Sequence, residues 1–157
     1  MLRRADSDDI PAIMAIERRP GYETLVGQWS AEQHAAHLED PSFHYFVADG
    51  DDGTVTAFAA LHAQPDGLLL NRIIVRDTGH GLGCALLGEI IRLAPSLCPS
   101  PRLWLRVAAH NERAIRLYTA LGFAHEATLA AAGRLPNGVV VDLMVMVRTI
   151  APKADPE

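Results

Sequence analysis

The chain has little of what marks several large classes of protein. Its 157 residues include two cysteines, Cys84 and Cys98, which are too few for a disulfide framework and form no C-x-x-C pair. Positive charge is also scarce, since 14 Lys and Arg stand against 19 Asp and Glu, for a formal net charge of -5. This balance gives no general attraction to a polyanion, so no nucleic-acid partner is expected.

Long apolar runs are missing as well. None approaches the roughly 20 residues that cross a bilayer, and the opening Met-Leu-Arg-Arg-Ala-Asp leads into acidic residues where a signal peptide has its apolar region. A cytoplasmic protein without a membrane partner is therefore expected. Of the seven histidines only His34 and His37 have helical ligand spacing, and with no third ligand near them in sequence no metal site is predicted.

The composition that remains is that of a folded protein. Hydrophobic residues make up 49% of the chain, which is typical of a globular domain and not of a disordered one. The length predicts a single domain over residues 1–150, followed by a loose tail over residues 151–157.

Helix and strand signals alternate along the chain without an internal repeat. The first helix is expected after Asp6 or Ser7 and before Pro20-Gly21, and the capping box Ser30-Ala-Glu-Gln33 begins the second. Alternating or continuous apolar runs predict strands at about these positions: 2–4, 43–48, 55–63, 68–75, 103–107, 123–128 and 139–148.

The stretch from Asn111 to Phe123, N-E-R-A-I-R-L-Y-T-A-L-G-F, contains a helix start, a helix face and a helix stop. Asn111 is a good N-cap, and Gly122 supplies the left-handed residue that ends the helix. Four residues spaced i, i+3, i+4 and i+7 share one inward face: Ala114, Leu117, Tyr118 and Leu121. This helix alone leaves two interpretations of Tyr118 open, a half-buried core residue or a site residue.

A second motif upstream has the order strand, glycine loop, helix. The strand 68–75 leads into Thr78-Gly-His-Gly-Leu-Gly83, and the apolar helical run from Cys84 is expected to stop at Pro95. The glycines let the backbone come close to a ligand, while the free N–H groups and the helix dipole favour an anion such as a pyrophosphate. The residues alone leave open that the glycines make only a tight turn. Neither the Walker nor the dinucleotide-binding pattern is present.

The two motifs, separated by one helix and one strand, resemble the GNAT N-acetyltransferase superfamily. There a (Gln/Arg)-x-x-Gly-x-(Gly/Ala) loop holds the pyrophosphate of acetyl-CoA, and an N-x-x-A-x-x-L-Y-x-x-x-G-F segment follows one strand later, which this chain matches in full. The resemblance implies acetyl-CoA as cofactor and an α/β fold: a mixed, mostly antiparallel sheet flanked by helices, with a splayed pair of strands, 68–75 and 103–107. Strand, helix, strand order independently predicts that this pair is parallel.

The resemblance also implies roles for individual residues. Tyr118 is expected to be the catalytic acid that protonates the leaving thiolate. The residues expected to bind acetyl-CoA are Ile73, Ile74, Val75, Thr78, Gly79, His80, Gly81, Leu82, Gly83, Cys84, Asn111, Ala114 and Tyr118. Arginines at 102, 106, 113 and 116 are candidates for a local positive patch beside the anionic cofactor. The alternative is a solvated helix face, which is the favoured interpretation of Arg116.

Two departures from the family pattern bear on the chemistry. Thr78 stands where the loop usually opens with Gln or Arg, so pyrophosphate binding is expected to depend on backbone N–H groups. Arg106 stands where relatives that acetylate protein amino termini often carry a glutamate base. No general base is identified, and a water relay is the working interpretation. Candidates for contacts with the acceptor are Glu23, Trp29, Asn71 and Arg106, with Tyr22 beside the first of them.

The leading interpretation is an acetyl-CoA-dependent N-acetyltransferase. Its acceptor is expected to be a primary amine of a small molecule or an amino-acid-like compound, which attacks the thioester directly. Two alternatives stay open: an enzyme that acetylates a peptide amino terminus or a lysine, and a non-catalytic module that binds acyl-CoA. The exposed final strand also leaves a homodimer open.

Overall fold

A computed structural model describes residues 2–25 and 27–150 of the chain. The predicted loose tail, residues 151–157, lies outside the described residues. Within the described part, no helix is long and apolar enough to span a bilayer.

Seven strands of the described residues form one sheet, in the spatial order β1-β2-β3-β4-β5-β7-β6. Every neighbouring pair is antiparallel except β4 and β5, which are parallel. The strands are β1 (Leu2–Arg4), β2 (Phe43–Asp49), β3 (Val55–Gln64), β4 (Gly67–Val75), β5 (Arg102–Ala108), β6 (Ala124–Arg134) and β7 (Val140–Thr149). The predicted strands are confirmed, although β6 continues well beyond residue 128.

The parallel pair separates part-way along its length. Pairing runs from Leu68 with Leu103 to Leu70 with Leu105 and does not continue, although β4 extends to Val75 and β5 to Ala108. On its other side β4 has an irregularity at the same place, because Leu61 of β3 pairs with Leu70 while Ala60 pairs with Arg72. Asn71 is therefore the extra residue of a β-bulge, a feature that bends a strand and re-aims its side chains. The predicted splay is confirmed.

Four α-helices of the described residues cover both faces of the sheet: α1 (Ile10–Glu17), α2 (Ala31–Glu39), α3 (Leu82–Leu97) and α4 (Glu112–Ala120). Ile13 and Ile16 of α1 pack against Phe58 on one face, with α2 beside them. On the other face, Leu87 and Ile90 of α3 join a larger core that also holds Tyr118 of α4. The alternation of β-strand side chains supplies both cores at once.

Two predicted helix ends differ from the observed ones. The prediction that the third helix stops at Pro95 is wrong, because α3 continues to Leu97. The φ angle of proline is helical, so Pro95 removes one backbone hydrogen bond near the end of the helix and bends it locally. This loss is offset because Ala94 and Leu97 pack against the core. The first helix ends at Glu17, before Pro20. The Ser30 capping box is confirmed, since Gln33 N–H donates to the Ser30 hydroxyl at 3.1 Å and the Gln33 side chain accepts from Ser30 N–H at 2.8 Å.

Candidate active site

The separation of β4 and β5 opens a slot in the sheet where two clefts meet. Both clefts are lined by Ile73, Ile74, Asn111, Ala114 and Tyr118. One, called the loop cleft, has a volume of about 250 Å³ and runs along residues 77–79 and 81–84. The other, called the arginine cleft, has a volume of about 330 Å³ and contains Arg72, Arg106 and Arg134. Tyr118 therefore stands at the junction of two compartments that meet through the sheet.

The loop cleft ends at the N-terminus of α3. Gly81 is the N-cap residue, with φ of 73° and no side-chain capping hydrogen bond. The N–H groups of the first turn, which begins at Leu82, have no partner within the helix and lie at the positive end of its dipole. A Cβ at Gly81 would meet no atom within 4 Å, so the space in front of the turn is open. This end of the cleft therefore fits a phosphate-like anion held by backbone donors.

The charges around the loop cleft agree with an anionic ligand. Asp77 is the acidic residue among the described lining residues, and it is hydrogen bonded by Arg76 Nε at 2.8 Å and by Arg19 Nη2 at 3.4 Å. The Arg76 guanidinium holds the pKa of Asp77 below its usual value. Arg113 of α4 lies across the cleft, 4.0 Å from where a Cβ of Gly79 would stand. Arginine neutralises the one carboxylate, and a further arginine faces the loop.

Tyr22 closes the loop cleft from the segment between α1 and α2. Its hydroxyl donates to the carbonyl oxygen of Val75 at 2.6 Å, at the end of β4. Sequence reasoning placed Tyr22 among the acceptor contacts, whereas the structure places it beside the glycine loop. The sequence does not predict this contact, because residues 22 and 75 lie 53 positions apart and no local pattern relates them.

The α4 helix holds Tyr118 in place through both of its ends. Asn111 Oδ1 accepts a hydrogen bond from Ala114 N–H at 3.3 Å, as expected of an N-cap. Gly122 has φ of 93°, and Phe123 N–H donates to the Tyr118 carbonyl at 3.0 Å, which reverses the chain after the helix. The Tyr118 side chain is buried, and burial raises the pKa of its phenol. The hydroxyl therefore keeps its proton at neutral pH.

The arginine cleft lies on the other side of Tyr118. Its cationic residues come from three strands, with Arg72 on β4, Arg106 on β5 and Arg134 at the end of β6. No Asp, Glu or His occurs among its described lining residues. Its apolar walls include Leu135 and Leu143. A cleft of this kind favours a ligand that combines an anionic group with an apolar part.

A buried polar network lies behind Arg72. Glu17 and His34 are both fully buried, and His34 Nε2 lies 2.6 Å from Glu17 Oε1. The Tyr45 hydroxyl lies 3.0 Å from Nδ1 of His34 and 3.0 Å from Nδ1 of His37. The second Glu17 oxygen lies 3.9 Å from Arg72 Nε. The two histidines that have ligand spacing in the sequence are thus hydrogen-bonding residues that connect α1, α2 and β2.

The position of the Arg72 guanidinium is closely defined. It stacks on Trp29, with 4.1 Å between Arg72 Cζ and the ring centroid, and Nη1 donates to the Asn71 carbonyl at 3.0 Å. A Cβ at Gly27 would lie 2.7 Å from Arg72 Nη2, so a side chain at position 27 would displace the guanidinium from this position. Sequence reasoning missed Arg72, because its partners are far away in the chain.

The structure brings most of the predicted site residues together. Each predicted acetyl-CoA residue except His80 lines at least one cleft, and His80 is exposed. Asn71 and Arg106 line the arginine cleft. Glu23 and Trp29 line neither cleft: the Glu23 carboxylate accepts from Gly21 N–H at 2.9 Å, and Trp29 packs on Arg72. No group of three or more His, Cys, Asp or Glu within the described residues is placed to hold a metal ion.

Comparison with known proteins decides the family. The family model described as "Acetyltransferase (GNAT) family" matches residues 10–123. The chain belongs to the GNAT family. This match includes β4, the glycine loop and α4, and therefore most of the elements that line the two clefts of this GNAT chain.

Individual relatives agree with this membership. An amino-acid acetyltransferase of Mycobacterium tuberculosis (strain ATCC 25618 / H37Rv) is 29% identical over 102 residues, which cover 62% of this chain and 56% of that protein. The chain thus spans about half the length of this curated relative. The crystal structure of the ribosomal-protein-S18-alanine N-acetyltransferase from Escherichia coli is 27% identical with a TM-score of 0.83, covering 99% of this chain and 96% of the other.

A second similar structure is a phosphinothricin acetyltransferase from Sinorhizobium meliloti, solved in complex with AcCoA. It is 23% identical with a TM-score of 0.78, and the match covers 96% of this chain and 88% of that one. At this identity the likeness concerns the fold. Together the comparisons confirm the GNAT-like fold that the two sequence motifs predict.

Proposed function

We propose that this GNAT chain is an acetyl-CoA-dependent N-acetyltransferase whose acceptor is a primary amine of a small, amino-acid-like molecule. The observation that carries the proposal is the meeting of the loop cleft and the arginine cleft at Tyr118. Two substrates that enter from opposite sides would meet in the slot where β4 and β5 separate. Such an arrangement supplies the proximity that a direct transfer between two bound molecules requires.

The residues of the loop cleft fit acetyl-CoA, which when bound supplies an acetyl thioester. The first turn of α3 would bind its diphosphate through backbone N–H groups, with Arg113 adding positive charge nearby. Beyond Leu70, the side of β4 that faces β5 has no strand partner among the described residues. That free strand edge would pair with the amide groups of the pantetheine arm.

The chemistry at the junction would depend on Tyr118 as an acid. Its hydroxyl is held protonated by burial, and it would donate that proton to the sulfur as the carbon–sulfur bond breaks. The amine must arrive without its proton or lose it on attack. Since the described lining of the arginine cleft holds no carboxylate or imidazole, a water relay would carry that proton away.

Peptide acetylation is the second candidate, and the likeness to a ribosomal-protein-S18-alanine N-acetyltransferase favours it. Arg106 in place of the glutamate expected of such enzymes speaks against it. A non-catalytic acyl-CoA-binding module is the third candidate. The buried phenol of Tyr118 between the two clefts argues against a non-catalytic module, because binding alone does not require an acid at this position.

The proposal is tested by measuring binding and turnover separately. Calorimetry should detect binding of acetyl-CoA, and a panel of amino acids, polyamines and short peptides should release free thiol with an amino-acid-like member. Tyr118→Phe should lower turnover by roughly 10²–10⁴-fold, the usual contribution of a positioned acid, while acetyl-CoA affinity stays near that of the wild type. Binding without turnover on any acceptor would favour the module, and acetylation of peptides alone would favour the second candidate.

A further inference from the structure

We infer that the arginine cleft is an anion-binding subsite for the acceptor, in which Arg106 and Arg134 bind a carboxylate of the amine-bearing substrate and Arg72 supplies a fixed positive wall. The inference rests on the proposed function, since it concerns the second substrate of that reaction. It adds two residues, Arg72 and Arg134, that sequence reasoning did not assign, and it selects one chemical class among possible amines.

The charge of the arginine cleft is unbalanced. The chain as a whole is acidic, with a formal net charge of -5, yet the described lining of this cleft has three arginines and no carboxylate. Arg106 and Arg134 make no ion pair of 4.0 Å or less with any described carboxylate. A concave surface with unbalanced charge of one sign attracts a ligand of the opposite sign.

Glu17 does not neutralise Arg72 fully. The same carboxylate lies 3.3 Å from Arg18 Nη1 and 3.9 Å from Arg72 Nε, so it serves two arginines. One Glu17 oxygen and Arg72 Nε are buried without a hydrogen-bond partner among the described residues. The positive charge of Arg106 also opposes that of Arg72 and contributes to lowering the pKa of Arg72, after the larger effect of burial. An anion between these arginines would relieve their repulsion.

Arg72 is held in place by its neighbours. The stack on Trp29 and the hydrogen bond from Arg72 Nη1 to the Asn71 carbonyl fix its guanidinium before any ligand arrives. A side chain that is already immobilised loses little conformational entropy on binding. The guanidinium groups of Arg106 and Arg134 are planar and can match a carboxylate with two parallel hydrogen bonds, a geometry that lysine does not offer.

The same features disfavour a polycationic acceptor. A polyamine would place additional positive charges beside Arg106 and Arg134, with no described acidic residue in the cleft to receive them. Like charges brought together in a partly enclosed site repel one another. The cleft therefore discriminates between two amines that differ only in whether a carboxylate is present.

The experiment compares matched acceptors on the full chain. Each amino acid is assayed beside its carboxamide and its decarboxylated amine, with spermidine and putrescine included, and acetyl-CoA binding is measured independently by calorimetry. We expect at least one amino acid to have a kcat/KM about 10- to 100-fold above that of its carboxamide, the range for a hydrogen bond to a charged group. Arg106→Gln and Arg134→Gln should each raise the KM for the amino acid and leave the KM for the carboxamide nearly unchanged.

Arg92→Gln is the matched control, because Arg92 is exposed on α3 and lines neither cleft. It should alter neither KM. If acetyl-CoA binds and the carboxamides or polyamines are acetylated as efficiently as the amino acids, the anion subsite is refuted while the proposed function stands. If acetyl-CoA does not bind, or no amine in the panel is acetylated, the proposed function itself fails and the subsite fails with it.

Discussion

Neutralising Glu17 tests whether the buried network holds the arginine cleft together. Glu17→Gln keeps the shape of the side chain. It also leaves an amide oxygen that can accept a hydrogen bond from His34 Nε2, which lies 2.6 Å from Glu17 Oε1 in the wild-type chain. What the substitution removes is one negative charge. Arg18 and Arg72 then face no carboxylate from α1, and Arg72 is mostly buried.

The size of the effect follows from burial and distance. Removing one partner of a fully buried ion pair costs about 3–5 kcal/mol, and hydrogen bonds to charged groups contribute about 1.5–3 kcal/mol. The Arg72 side chain keeps 21% exposure, and the 3.9 Å between its Nε and Glu17 Oε2 exceeds a hydrogen bond. Glu17→Gln is therefore expected to lower the free energy of unfolding by about 2–3 kcal/mol, near the lower end of these ranges. For a chain of this length that lowers Tm by about 4–12 °C.

Urea titration and thermal melting measure the loss, and acceptor kinetics measure its consequence for the site. The matched control is Glu126→Gln, because Glu126 forms an exposed ion pair with Arg102 at 2.8 Å. Exposed pairs contribute at most about 1 kcal/mol. Acetyl-CoA affinity should not change in either variant, since neither glutamate lines the loop cleft.

A double-mutant cycle with Arg72→Met decides whether Glu17 acts on Arg72. Residues that interact show a coupling of about 0.5–3 kcal/mol. Equal losses for Glu17→Gln and Glu126→Gln, or additive effects of Glu17→Gln and Arg72→Met, would refute the role that we give to the network.

Two further predictions concern cofactor binding and pH. Gly81→Val places a β-branched residue at φ of 73° in front of the α3 turn, so calorimetry should detect no binding of acetyl-CoA. Burial lowers the pKa of His37 and of His44 below the ordinary value of 6.5. The unfolded chain therefore binds protons that the folded chain does not, and the free energy of unfolding measured in urea should fall as the pH drops from about 7 to about 5. Replacing both histidines by glutamine should flatten this dependence.

Each of these predictions has a control in the same chain. Gly53→Val introduces the same strain at φ of 80° in a remote turn, where a Cβ also meets no atom within 4 Å, and it should leave binding intact. Retained binding in Gly81→Val would disprove the assignment of the loop. For the pH dependence, His125→Gln removes an exposed imidazole from β6. A slope that is the same in all variants would show that His37 and His44 do not cause it.

Predictions based on local sequence were the most reliable. The capping box at Ser30 and Gln33, the N-cap Asn111 and the left-handed Gly122 each depend on a few neighbouring residues, and each is found as expected. The continuation of α3 through Pro95 was not predicted, because local preference was outweighed by the packing of the last turn against the core. Single-domain organisation, homodimer formation and cytoplasmic location remain predictions.

Local spacing sufficed to predict the glycine loop and the Asn111 helix, because hydrogen bonds and side-chain periodicity within a few residues determine these elements. The parallel strand pair was predicted from the order strand, helix, strand, since such a crossover places its two strands in parallel. Tertiary structure alone decided that Glu17, His34 and Arg72 meet, and that arginines from β4, β5 and β6 surround one cleft. Such contacts join residues from separate helices and strands, so their geometry depends on how the sheet twists, bulges at Asn71 and opens between β4 and β5. The sequence alone thus predicts the loop that would bind the cofactor. The cluster of arginines that would select the acceptor forms only when the chain folds.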